Sequence, residues 1–144
     1  MHYTETEINV RYAETDKMDV VYHSNYLIWL EVARTEFIEQ VGFSYADMEK
    51  AGVISPVVDV KLSYKRSITY PEKIIVRTWI KQYSPIRTVY EYEVIKENGQ
   101  LAATGETTHV ILNRESMRPI RLDRHFKAWH EKYMELYLSL IHIS

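Results

Sequence analysis

The run SNYLIWLEVARTEFIEQVG, residues 24–42, constrains this chain more than any other stretch. It predicts a helix from Asn25 to Val41, with Ser24 or Asn25 as its cap and Gly42 at the left-handed position that follows a helix end. Tyr26, Leu30, Ala33, Phe37 and Val41 share one face. The first two turns are apolar nearly all round, through Tyr26, Leu27, Ile28, Trp29 and Leu30. A helix of that kind is buried at its N-terminal end and needs something large to cover it.

The remaining patterns supply the cover. Residues 5–11 alternate through Ile8, Val10 and Tyr12 and read as a first strand. Period-two spacing then recurs at Val58, Val60, Leu62 and Tyr64, at Ile74, Val76 and Ile80, and at Ile86, Tyr90, Tyr92 and Val94. Asn98-Gly99 marks a two-residue hairpin leading into QLAATGETTHVIL. FSYADMEKAG reads as a short helix, and Leu122, Phe126, Trp129, Tyr133, Leu136 and Leu140 as one amphipathic C-terminal helix. The expected class is α+β: a buried helix wrapped by four long antiparallel strands in meander order. At 144 residues, with no linker or repeat, residues 1–144 form one expected domain.

Composition removes several kinds of chemistry. There is no Cys, which excludes disulfides, thiolate nucleophiles and thiolate metal sites. Eighteen Lys and Arg against twenty Asp and Glu give a net charge of −2, so nothing draws the whole chain to nucleic acid or an anionic membrane. The glycines at 42, 52, 99 and 105 frame no Ser and form no phosphate loop. His125 and His130 are five apart, off a common helical face, which argues against a helical zinc motif. No signal peptide or membrane-length apolar run is evident, and the expected location is cytoplasmic.

Chemistry is then sought in RYAETDKMDVVYHSNY, residues 11–26. A helix N-terminus presents unpaired N–H groups and the positive end of a dipole. Asp16 lies just upstream, and a carboxylate beside such donors suits hydrolysis of an acyl group. The residues alone leave a plainer alternative, in which Asp16 only caps a turn.

This stretch resembles the signature of the hotdog-fold acyl-CoA thioesterases of the 4-hydroxybenzoyl-CoA thioesterase type, and within them the Tol-Pal-associated branch. Arg11, Tyr12, Glu14, Thr15, Asp16, Met18, Val21, Tyr22, His23, Asn25 and Tyr26 carry it, followed by Trp29, Glu31, Ala33 and Arg34. The likeness continues in YKRSITYPEKIIVRT, ATGETTHVIL and RPIRL. It implies a sheet wrapped round the long helix, a homodimer with sites at the subunit interface, often paired into a tetramer, and hydrolysis of acyl-CoA to a free acid and CoA. It implies no metal or organic cofactor. Asp16 matches the essential carboxylate, and the backbone N–H of His23 matches the donor to the thioester carbonyl. Asp19 stands where the family usually has Gly, adding a second carboxylate beside Asp16.

Val21, Tyr22, Asn25 and Tyr26 join the expected substrate contacts. The plainer reading makes Asn25 a helix cap, and Tyr26 and Trp29 core residues. Lys65 and Arg66 are candidates for the CoA phosphates, as is the basic run NRESMRPIRLDRHFK; a solvated charged segment is the alternative for both. Glu31 and Arg34 are spaced for an i,i+3 ion pair. Two other functions remain: a hotdog hydratase, whose D-x4-H spacing is missed here, and an acyl-CoA sensor without turnover.

Overall fold

In the computed structural model the long helix, α1, spans Ser24–Gln40. Residues 2–16, 18 and 20–143 are described; Asp19 lies outside them. Tyr26, Trp29, Leu30, Ala33, Phe37 and Ile38 of α1 are buried. The helix ends as its sequence requires. Gly42 has φ 105°, its N–H donates to the Glu39 carbonyl, and the Phe43 N–H donates to the Ile38 carbonyl. This pair of bonds satisfies two carbonyls of the last turn.

The start of α1 departs from expectation. His23 holds the cap position in helical geometry, and no side chain caps the turn. The Asn25 side chain instead donates to the Glu14 carbonyl. Nor is the start buried all round: Leu27, Ile28 and Val32 are 44%, 48% and 47% exposed. A single sheet covers one side of a helix, and these residues lie on the other.

That sheet has five antiparallel strands in the order β1-β4-β5-β6-β3. They are β1 Thr4–Asn9, β3 Val57–Tyr64, β4 Lys73–Ser84, β5 Arg87–Ile95 and β6 Leu101–Val110. Only β4-β5-β6 is a meander. β3 pairs with β6 and β1 with β4, so β1 and β3 form the edges. Consequently the alternating apolar residues of β3 find no cover: Val58, Val60 and Tyr64 are exposed, and only Leu62 turns into the core. Tyr12, expected to continue β1, falls in a 3-10 turn and is exposed. In β4 a register shift between Ile80 and Gln82 resets the alternation. The Asn98-Gly99 signal gives its hairpin, but through a turn closed by the Gly99 N–H on the Lys96 carbonyl, with Gly99 at φ 88°. Gly105 of β6 allows the helix to sit close. A Cβ there would lie 2.9 Å from Leu30 Cδ1 and 3.1 Å from Leu62 Cδ2.

Short elements close the ends: α2 Tyr45–Lys50, β2 Val53–Ile54 and β7 Leu112–Asn113. The expected single C-terminal helix is two, α3 Leu122–His125 and α4 Lys127–Ile143, broken at Phe126. Its apolar stripe is still buried, through Leu122, Trp129, Tyr133 and Leu136. No helix among the described residues is long and apolar enough to cross a membrane.

Candidate active site

The loop between β1 and α1 is anchored by a residue that sequence reasoning used only as part of a motif. Glu14 is 3% exposed. Its Oε1 accepts the Arg11 N–H at 2.7 Å, and its Oε2 accepts the Trp29 indole N–H at 2.9 Å. The Arg11 guanidinium pairs with the same carboxylate at 3.4 Å. The Glu14 carbonyl accepts the Tyr22 N–H at 3.0 Å and the Asn25 side-chain amide at 2.9 Å. A buried carboxylate requires such donors. Together they fasten the loop to the first turns of α1. Asn25, expected as a substrate contact or a cap, serves here as a tie.

Asp16 stands at a turn held by that anchor. Its Oδ1 accepts the N–H of Met18 at 2.8 Å and of Val20 at 3.2 Å. Its own N–H donates to the Val20 carbonyl at 2.9 Å. The turn is tied to the strand-like segment beyond β3 by the Val21 N–H on the Ile68 carbonyl, 2.9 Å. Oδ2 has no protein donor among the described residues. The turn is thus capped through one oxygen of the carboxylate, and the other takes no part in it.

Asp16, Val20, Val21, Tyr22, His23 and Ser24 line one open cleft. Val20, Val21, His23, Tyr26, Tyr64, Lys65, Arg66 and Ser67 line a second, and the shared residues make the two adjoin. The N–H groups of His23 and Ser24, at the helix start, have no protein acceptor among the described residues. The His23 imidazole stacks on Tyr64, with ring centroids 3.9 Å apart, and Tyr26 meets both rings edge-on. Burial, with Tyr64 and Glu72 nearby, pushes the Tyr26 hydroxyl up to about 12, so it stays a neutral donor. The Lys65 and Arg66 amides both donate to the Ala102 carbonyl, which fixes that corner. The Arg66 guanidinium donates to the Leu101 carbonyl at 2.8 Å.

Of the expected site residues, Asp16, Val21, Tyr22, His23, Tyr26, Lys65 and Arg66 thus converge. The basic run from Arg114 to Lys127 lines neither cleft, and its Arg121 pairs with Asp123 at 3.0 Å. Tyr64, in the sequence only the end of an alternating strand, lines the second cleft, and its stacking on His23 is a long-range contact that no local pattern signals. The Glu31–Arg34 pair does not form among the described residues; Arg34 Nη1 donates to the Tyr92 hydroxyl at 3.4 Å.

Comparisons with known proteins bear on the family and the fold. The thioesterase-like superfamily matches residues 10–130. YneP of Bacillus subtilis (strain 168), named "Putative acyl-CoA thioesterase YneP", is 47% identical over 133 residues, covering 92% of this chain and 96% of that protein. The solved structure of a DHNA-CoA thioesterase from Staphylococcus aureus is 52% identical, with a TM-score of 0.97, covering 100% of this chain and 97% of that one. The acyl-CoA thioesterase YbgC of Haemophilus influenzae is 25% identical over 123 residues, covering 84% of this chain and 89% of that protein. The chain belongs to the thioesterase-like superfamily, as a hotdog-fold thioester hydrolase of the 4-hydroxybenzoyl-CoA thioesterase type.

Proposed function

We propose that the protein hydrolyses an aromatic acyl-CoA to the free acid and CoA, with Asp16 as the working carboxylate. The observation that carries this reading is that Asp16, whose Oδ2 takes no protein donor among the described residues, lines one cleft with His23 and Ser24, whose amides take no protein acceptor there. The thioester carbonyl oxygen sits at the amides. Asp16 either attacks the carbonyl carbon or takes a proton from the water that does. The oxyanion that forms is held by donors aimed at it before reaction, the arrangement worth roughly 3–4 kcal/mol per donor in other hydrolases. The C–S bond then breaks: in the water route the proton held by Asp16 passes to the sulfur and CoA leaves as the thiol, and in the direct route CoA leaves as the thiolate and water then hydrolyses the acyl–Asp16 anhydride to the free acid. Lys65 and Arg66 at the rim meet the CoA phosphates. An aromatic acyl group is favoured by the 52% identity to the DHNA-CoA thioesterase. The reaction calls for no metal or organic cofactor, and the cytoplasm is its proposed compartment.

The working unit proposed is a homodimer built on the single hotdog unit. β3 is an eight-residue edge strand carrying Val57, Val58, Val60 and Tyr64 at 40–55% exposure. A long apolar edge is a template for another strand. A second copy pairing along β3 also covers bare apolar side chains of α1. The opposite edge, β1, is shorter and carries Glu5 and Glu7 in ion pairs, which makes it a poor match.

Thiol release from a panel of alkyl and aryl CoA thioesters tests the activity. Turnover by the wild type with aryl preference, lost in Asp16→Asn, supports the reading. Binding without release from any member overturns it in favour of a sensor.

A further inference from the structure

A more enclosed space than the clefts at Asp16 lies elsewhere among the described residues. It is a cavity of about 310 Å³ farther along α1, lined by none of the residues of the two clefts. Arg34 is eleven residues beyond His23, about 16 Å along the helix at 1.5 Å per residue. The cavity has an apolar and aromatic body formed by Ile38, Met48, Ile111, Leu122 and Trp129, and a polar wall. Its size lies at the lower end of the range of small-molecule sites, about 300–1,000 Å³.

The polar wall has a fixed direction. His109 Nδ1 lies 3.1 Å from the Ser55 carbonyl, which only accepts, so Nδ1 carries the hydrogen. Burial, reinforced by the nearby Arg34 charge, lowers His109 to about 4, so near neutral pH its Nε2 is an acceptor. Thr107 must donate to it, at 3.0 Å, and Tyr92 must donate to Thr107, at 2.6 Å. Arg34 Nη1 then donates to the Tyr92 oxygen. Every hydrogen in the chain points from Arg34 towards His109. That leaves the other N–H groups of Arg34 without a protein carboxylate among the described residues. Beside them, the Tyr90 and Tyr133 hydroxyls, 2.7 Å apart, hold two hydrogens and need only one between them. Glu31, exposed, is the one carboxylate in the lining and makes no ion pair with Arg34 among the described residues.

Spare donors and one unpaired cation facing an apolar cavity select a flat apolar group bearing an oxygen. We propose that this cavity holds the hydroxylated aromatic ring of the acyl group, and that Arg34 reads the ring oxygen. The inference rests on the thioesterase reading and names the determinant of its substrate class. The 16 Å offset is resolved by the dimer. Ser55, Pro56 and Val57, at the start of β3, line the cavity, whereas Tyr64 and Lys65, at its end, line a cleft. Antiparallel pairing of β3 with its own copy brings the start of one strand to the end of the other. The cavity of one protomer then adjoins the cleft of its partner. The thioester reacts in one protomer while the ring is held by the other.

The test compares wild type, Arg34→Met and Arg34→Lys on hydroxynaphthoyl-CoA and unsubstituted naphthoyl-CoA, with Trp fluorescence titration by free hydroxynaphthoate as the second readout. The expected result is a fall in kcat/KM of about tenfold to a hundredfold for the hydroxylated thioester in Arg34→Met. The unsubstituted thioester changes by less than about threefold, hydroxynaphthoate no longer quenches, and Arg34→Lys recovers part of both. Equal losses on the two thioesters, or no loss on either, overturn the inference. Should the wild type turn over neither thioester, the thioesterase reading fails, and the titration alone decides. Binding that Arg34→Met abolishes keeps the cavity assignment; equal binding by both, or by neither, ends it. Should Arg34→Met fail to melt cooperatively, Arg34→Lys is compared with wild type on the same readouts.

Discussion

The cleft at Asp16 and the cavity at Arg34 lie along one helix and are made of opposite materials. The cleft is open and mostly backbone. A turn, a helix start and one carboxylate face solvent, and the charged group takes its bonds from amides two and four residues away. The cavity is enclosed and mostly side chain. Its wall is assembled from α1, β5, β6 and the segment before β3, across separations of up to 58 residues. Reactive groups need access to water and a leaving group. Groups that read a substrate gain strength from exclusion of water. The same helix serves both ends because its N-terminus is left uncapped while its flank is pressed against a sheet.

This contrast can be broken most sharply at Asp16. Asp16→Asn keeps an oxygen for the Met18 and Val20 amides but loses the charge. It is expected to lower kcat/KM by about a hundredfold or more, with little change in melting temperature. A matching loss of stability would mean that the carboxylate serves the turn alone.

Next in size is Glu14→Ala, which leaves the Trp29 indole and the Arg11 amide without their charged acceptor. A cost of about 2–3 kcal/mol in urea denaturation is expected. A smaller cost would show that the cleft does not depend on its buried anchor.

His109 sharpens the other side of the comparison. Its pKa is depressed from 6.5 in the unfolded chain to about 4 in the fold. The unfolded state therefore binds more protons between those values, and stability is fully present above about pH 6.5 and falls as pH drops towards 4. Between pH 7.5 and 5 the contribution amounts to about 2 kcal/mol. Urea denaturation at the two values should show that difference in wild type beyond what His109→Gln retains. Equal pH dependence in both would mean that the chain of hydroxyls does not hold His109 neutral.

The smallest effect is expected at the rim. Lys65 is exposed and makes no side-chain bond among the described residues. Lys65→Ala should raise KM for CoA thioesters by about threefold to tenfold and leave hydrolysis of a truncated pantetheine thioester unchanged. An equal effect on both would place Lys65 away from the CoA phosphates.

Much of this molecule is legible in local sequence. The span of α1, the left-handed Gly42 and the Asn98-Gly99 hairpin depend on neighbours a few residues apart, where propensity and backbone geometry act directly. So does the position of Asp16 before the helix start. Three expectations failed where a distant partner intervened. Asn25 ties to Glu14 rather than capping α1, Arg34 turns to Tyr92 rather than Glu31, and β3 sits at an edge beside β6. Alternation states that a strand has an apolar face; it does not state which strand will lie beside it. The sequence by itself determined the span of the long helix, its glycine end, the Asn98-Gly99 hairpin and the carboxylate ahead of the helix start, because each rests on contacts within a few residues. Only the tertiary structure decided the strand order, the buried Glu14 anchor and the Arg34–His109 wall, because each joins groups that meet only once the sheet has closed over the helix.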